Sequence, residues 1–192
     1  MSKKKFSEII QKYYDSVDNT LQRDIALEII ERIDNDPDFF VRKKIDGKVD
    51  IGSSVLLCTP DYKKILFLDH IKLKNWTLPG GHADGEIDLY KAALNELREE
   101  VGIDIPYDIH HDISPLLLFK FNFTKEIFGY AKSIITLFYV VICPVDQTPQ
   151  NMEPHKCTEI RWMDIDQVRE IAILDTSKCI DSIIDVWQEL TK

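Results

Sequence analysis

Long apolar runs are missing from this chain: no stretch approaches the roughly 18 residues needed to cross a bilayer. The opening MSKKKFSEII turns amphipathic at once and holds no signal-peptide core, so a cytoplasmic setting and no membrane partner are expected. Cysteine is sparse. Cys58, Cys143, Cys157 and Cys179 are widely spaced with no CxxC pair, which removes support for a disulfide framework or zinc site and leaves reduced, buried thiols as the expectation. Basic residues are outnumbered, 24 Lys and Arg against 33 Asp and Glu, for a net charge of -9. Such a surface repels a phosphate backbone, so no nucleic-acid polymer is expected as partner, and an anionic substrate would need a cation between it and the protein. The one basic cluster, MSKKK, reads as a frayed terminus. Internal repeats and low-complexity tracts are absent as well.

The 192 residues are 44% hydrophobic, enough for one sizeable core, and a single domain is expected. Phe6, Ile9, Ile10, Tyr13, Tyr14 and Val17 form one helical stripe, and Leu21, Ile25, Ile29 and Ile33 a second. Together they predict a helical hairpin within residues 1–46, packed on the domain that follows or, alternatively, serving as a homodimer contact or a lid. From residue 47 the pattern changes. SSVLLCT and KKILFLD predict an antiparallel hairpin, WTLPGG a short strand or loop, SPLLLFKFNF and SIITLFYVVIC two central strands, and TEIRWMD a last strand. A helix is expected from Leu89 to Val101, another over DIDQVREIA with an aspartate cap, and a last along Ile180, Ile183, Ile184, Trp187 and Leu190. The sum is an α/β (α+β) domain over 47–192, a mixed β-sheet sandwiched between helices.

The segment LPGGHADGEIDLYKAALNELREEVGI concentrates acid on one helix. Glu96, Glu99 and Glu100 stand at i, i+3 and i+4 and project from one face, with Gly102 placed to end the helix in a left-handed conformation. Like charges at that spacing cost roughly 0.2–0.5 kcal/mol per pair. A solvated face helped by Lys91 and Arg98 is one explanation; a set of oxygen ligands for a hard divalent ion is the other.

Context separates them. The glycine pair, the W-x-L-P before it and E-L-x-E-E-x-G-I along the helix resemble the Nudix hydrolase family, whose box reads G, five residues, E, seven residues, R-E-U-x-E-E-x-G-U with U bulky and apolar. Aligned on Gly81, the residues Glu96, Leu97, Glu99, Glu100, Gly102 and Ile103 fall on the expected positions. Two positions depart: Ile87 replaces the first glutamate, with Glu86 beside it, and Asn95 replaces the arginine that orients the glutamates. Asparagine brings no charge, and Arg98 lies about 60° around the helix from it. The later TPQNMEPHKCTEIRWMDID resembles a segment of MutT-like enzymes that hydrolyse nucleoside triphosphates, with Ile160, Arg161, Trp162 in place of W-x-W.

The resemblance implies a Nudix fold and a pyrophosphohydrolase in which water attacks a phosphoric anhydride. Glu96, Glu99, Glu100 and the Gly81 carbonyl would hold Mg2+, or Mn2+, against the phosphates. A helix glutamate or Glu153 would serve as base; His82, Gly80 and Trp162 are the candidates for touching substrate. The implied substrate is a small molecule with a nucleoside diphosphate linkage, foremost a nucleoside triphosphate cleaved to monophosphate and diphosphate. Two alternatives stand: an ADP-ribose or nucleotide-sugar diphosphatase, and a catalytically weakened nucleotide-binding sensor, which Asn95 keeps open. Phe39, Phe40 and Phe138 read as core rather than base-stacking residues, Trp76 as an internal prop for the glycine loop, and His110, His111 and His155 as surface histidines.

Overall fold

The computed structural model describes residues 1–42, 44–45, 47–107, 113–130, 132–172 and 178–190; His110 and His111 lie outside them. Among the described residues six helices and seven strands follow in the order α1 (Lys3–Ser16), α2 (Thr20–Asn35), β1 (Val49–Cys58), β2 (Ile65–His70), β3 (Asn75–Thr77), β4 (Gly80–His82), α3 (Leu89–Val101), β5 (Leu117–Phe123), α4 (Lys125–Phe128), β6 (Lys132–Ile142), β7 (Cys157–Met163), α5 (Ile165–Ala172) and α6 (Cys179–Leu190). The described chain divides into two compact units, and β1, β4, α3 and β6 each contribute residues to both.

The first unit comprises Met1–Ser53, Gly81–Ala93 and Pro106–Tyr139. Ser2 caps α1 by accepting the Lys5 N–H at 3.2 Å, so the basic cluster begins a helix rather than a frayed end. Phe6, Ile9, Ile10 and Tyr13 are buried along α1, and Ile25, Ile29 and Ile33 along α2. Leu21 breaks its expected stripe and is 58% exposed. A step of four residues drifts by about 40°, so the three steps from Leu21 to Ile33 turn by about 120° and carry Leu21 off the buried face. Gln22 is buried in its stead: its side chain accepts the Tyr13 hydroxyl at 2.7 Å and pairs with the Leu118 backbone through two 2.8 Å bonds, which docks α2 on β5. In this unit β6 runs antiparallel to β5, from Leu117↔Phe138 to Phe123↔Lys132. Among the described residues β5 ends the strand order and is an edge strand, not the central one its apolar run suggested. Its Phe119, Phe121 and Phe123 form an aromatic row with centroids 4.8 and 6.0 Å apart, so the run serves one face and an edge.

The second unit comprises Ser54–Gly80, Leu94–Ile105 and Val140–Lys192. Here β1 and β2 make the predicted antiparallel hairpin at Cys58↔Ile65, and β2 also pairs antiparallel with β3 and with β7. Leu56, Leu57, Ile65, Leu66, Phe67, Leu97 and Trp187 fill its core, and the Trp187 indole donates to the Tyr62 carbonyl at 2.8 Å. Asp164 caps α5 as expected, accepting the Gln167 N–H at 3.0 Å. The four cysteines are buried and none forms a disulfide. No helix among the described residues is long and apolar enough to cross a membrane.

Candidate active site

Helix α3 ends where Gly102 takes φ +71, donating its N–H to the Arg98 carbonyl at 3.0 Å. A helix leaves its last carbonyls without intrahelical donors. Two of them are met here by one loop: Gln150 donates to the Val101 carbonyl and Met152 to the Glu100 carbonyl, both at 3.0 Å. Met152 also lies 3.4 Å from where a Cβ on Gly102 would stand. Asn151 braces the same loop, accepting the Glu153 N–H at 3.1 Å and donating to the Cys157 carbonyl at 2.9 Å. Sequence-distant Glu153 is thereby held beside the acidic helix.

Glu100 is the buried member of the acid cluster, 8% exposed, and its Oε2 accepts the Gly80 N–H at 2.9 Å. Its carboxyl is pushed up to about 8, first by burial and also by the charges of Glu96 and Glu153, with the Gly80 bond opposing them. Lys156 pulls in the opposite direction and ion-pairs with Glu153 at 2.7 Å. Glu96 is half-buried and Glu99 exposed on the same helix. The structure therefore brings Glu96, Glu100, Glu153 and Gly80 into mutual influence, and leaves Glu99 on the solvent side.

Among the described residues no group of three or more His, Cys, Asp or Glu is arranged to hold a metal ion. Magnesium does not require one: it keeps several waters and takes one or two carboxylates plus substrate phosphate. A buried glutamate whose ionised form is disfavoured by two neighbouring acids has the chemistry of a site that a hard cation would relieve, so the residues fit such an ion.

The two departures from the box, Ile87 and Asn95, are both half-buried, and nearby Arg98 is exposed without an acidic partner among the described residues. Glu86, beside Ile87, is raised by burial but held below the ordinary carboxylate range by Lys91, at 2.8 Å, and by the Asp88 N–H. It is therefore engaged in an ion pair in the first unit.

His82, a candidate for touching substrate, belongs to a polar cluster of the first unit. Its Nε2 is 2.8 Å from the Lys132 Nζ and 3.7 Å from Asp50 Oδ2. Asp50 is 1% exposed; Lys48 and Lys132 each approach it at 3.6 Å, and no hydrogen bond reaches its oxygens among the described residues. Lys132 also stands 4.3 Å over the Phe128 ring. Neither Asp50 nor Lys132 was among the sequence candidates, because each lies just outside the apolar runs SSVLLCT and SIITLFYVVIC. Gly52 was missed too: a Cβ there would meet the Gly81 carbonyl oxygen at 2.3 Å, so β1 and the glycine loop approach as closely as they do because residue 52 has no side chain.

Phe39, Phe40 and Phe138 are buried as expected of core residues, and His155 is exposed. Trp162 is half-buried on β7. Trp76 is half-buried rather than internal, with the Arg161 guanidinium 4.9 Å from its ring. Arg161 also pairs in bidentate fashion with Glu159 at 2.7 and 2.8 Å.

Residues 49–182 match the NUDIX domain family. No curated protein matches the sequence. Among solved structures, the fold is similar to the E. coli dihydroneopterin triphosphate pyrophosphohydrolase, at 18% identity over 70% of this chain and 92% of that one, with a TM-score of 0.52. It is similar to a MutT protein from Methanosarcina mazei Go1, at 16% identity over 76% and 95%, TM-score 0.51. A third is the NUDIX domain of Shewanella oneidensis NrtR complexed with ADP ribose, at 18% identity over 84% and 97%, TM-score 0.50. At these identities the likeness is one of fold.

Proposed function

The chain belongs to the NUDIX domain family, a family of pyrophosphohydrolases, and from that membership we propose that it hydrolyses a nucleoside triphosphate to the monophosphate and diphosphate with Mg2+ or Mn2+. The observation that carries this reading is the buried Glu100 carboxyl, bonded by the Gly80 N–H at 2.9 Å, with the loop that bears Glu153 tied to its backbone through Met152 at 3.0 Å.

Glu96, Glu99 and Glu100 would hold the cation. When bound, it screens the phosphate charge, orients the diphosphate and acidifies the attacking water. The Gly80 N–H keeps one Glu100 oxygen fixed, so the carboxylate presents its other oxygen in a constant direction. Glu153, braced by Asn151, would take the proton from water as its oxygen attacks phosphorus and the anhydride P–O bond breaks. Glu96 and Glu99 remain the alternative bases on the helix. Trp162, half-buried on β7, offers a face on which a base can stack.

A panel of nucleoside triphosphates, ADP-ribose and nucleotide sugars, read by released phosphate species in saturating magnesium, tests this directly. The ADP-ribose arm belongs in the panel because the Shewanella domain of similar fold is complexed with that ligand. Wild-type magnesium-dependent turnover in both Glu99→Gln and Glu100→Gln would refute the assignment. The uncharged Asn95 favours a second reading, a nucleotide-binding sensor with weakened catalysis; tight nucleotide binding without turnover, and activity gained by Asn95→Arg, would establish it.

A further inference from the structure

We infer that Lys156 supplies, from the loop before β7, the positive charge that the acidic helix lacks at Asn95, holding Glu153 in place and offsetting the charge gathered around Glu100. The inference deepens the proposed function and rests on its reading of the helix glutamates as cation ligands.

Position 95 carries a neutral amide, and Arg98 faces solvent without an acidic partner among the described residues. The cation that does reach the cluster is Lys156. Its Nζ lies 2.7 Å from Glu153 Oε2, and its charge acts on Glu100 and Glu96 as well. The contact is built into the backbone. The Lys156 and Cys157 N–H groups both donate to the Glu153 carbonyl, at 2.9 and 3.1 Å, so residues 153–157 form a tight turn with acid and base on the same side of it. The Lys156 carbonyl accepts the Ile71 N–H at 2.9 Å, and the turn's leading edge is tied to α3 through Met152 and Glu100. A lysine on a loose surface loop would spread over many rotamers; this one starts from a backbone fixed at both ends. A positive charge beside the last turn of α3 also complements the helix dipole. Lys156 is a positioning residue in this account: it touches Glu153 and sets the field of the cluster without touching the reacting atoms.

Two readouts separate this from an ordinary half-exposed ion pair. One is equilibrium Mn2+ binding without substrate, by calorimetry; the other is kcat apart from KM. Lys156→Met removes a competing cation, so Mn2+ should bind roughly two- to fivefold tighter, the scale of a charge interaction at a half-exposed site. It also releases Glu153, so kcat should fall at little-changed KM. Lys156→Arg should retain both wild-type values. In the Lys156→Met background Asn95→Arg should raise kcat by a larger factor than it does in the wild type, because the two positions serve one charge. Wild-type Mn2+ affinity and kcat in Lys156→Met would overturn the inference, as would an Arg variant as impaired as Met or an equal effect of Asn95→Arg in both backgrounds. Glu100→Gln is the control for the underlying reading: if it leaves Mn2+ binding intact, the ligand assignment fails and this inference with it. If it abolishes binding while Lys156→Met behaves as wild type, the Lys156 inference alone fails.

Discussion

Glu100→Gln should stabilise the metal-free protein in a manner that grows with pH. The Glu100 carboxyl sits at about 8 against an ordinary value of 4.5, because burial and two acidic neighbours disfavour its ionised form. A group raised in the folded state keeps its proton after the unfolded chain has lost its own. Stability contributed by this site is therefore intact below 4.5 and falls as pH rises toward 8, at about 1.4 kcal/mol per pH unit. The loss is about 3 kcal/mol at pH 7 and about 5 kcal/mol above pH 8, where both states are ionised. Glutamine is uncharged throughout, nearly the same shape, and its carbonyl can accept the Gly80 N–H as Glu100 does. Urea unfolding in EDTA should give near-equal stabilities for wild type and variant at pH 5, and a gap of several kcal/mol at pH 9. Adding Mg2+ should recover wild-type stability at pH 9 and do nothing for the variant. A gap of the same size at both pH values would refute the burial argument; Mg2+ stabilising both proteins equally would refute the ligand role.

Two further substitutions test the first unit. Gly52→Ala places a methyl 2.3 Å from the Gly81 carbonyl oxygen, a backbone atom without rotamers to yield, so destabilisation of about 3 kcal/mol is expected from thermal or chemical unfolding; a loss under about 0.5 kcal/mol would show that the strand and loop are not held together there. Lys132→Met leaves the buried Asp50 with Lys48 and His82 as its partners among the described residues and should cost about 3 kcal/mol, most of it regained in the Asp50→Asn, Lys132→Met double variant. Failure of the second change to restore stability would mean that Lys132 acts through packing on Phe128 rather than through charge.

Helices were legible because their signals are local. The span of α3, its left-handed glycine, the hairpin of α1 and α2 and the Asp164 cap all follow from spacings within a few residues. Strand rank was not. β5 and β6 read alike as apolar runs, and only long-range pairing makes β5 the edge. Gln22 escaped notice because a glutamine inside a helical pattern gains its meaning from a carbonyl 96 residues away. The acid cluster was half visible: the helix spacing gave Glu96, Glu99 and Glu100, whereas Lys156 and the grip of residues 150–153 on the helix end depend on backbone hydrogen bonds that no side-chain pattern announces.

That grip joins two regions far apart in sequence into one cooperative piece. Because the amides of Gln150 and Met152 close on the carbonyls of Val101 and Glu100, the last turn of α3 cannot fray without freeing the loop that bears Glu153. Opening would thus remove ligand-bearing helix and candidate base in the same event, with the four amides of Gln150, Met152, Val101 and Gly102 exchanging hydrogen at a common rate. Loss of the Glu100 ligand and release of the candidate base Glu153 are thereby coupled through the bond from Met152 to Glu100.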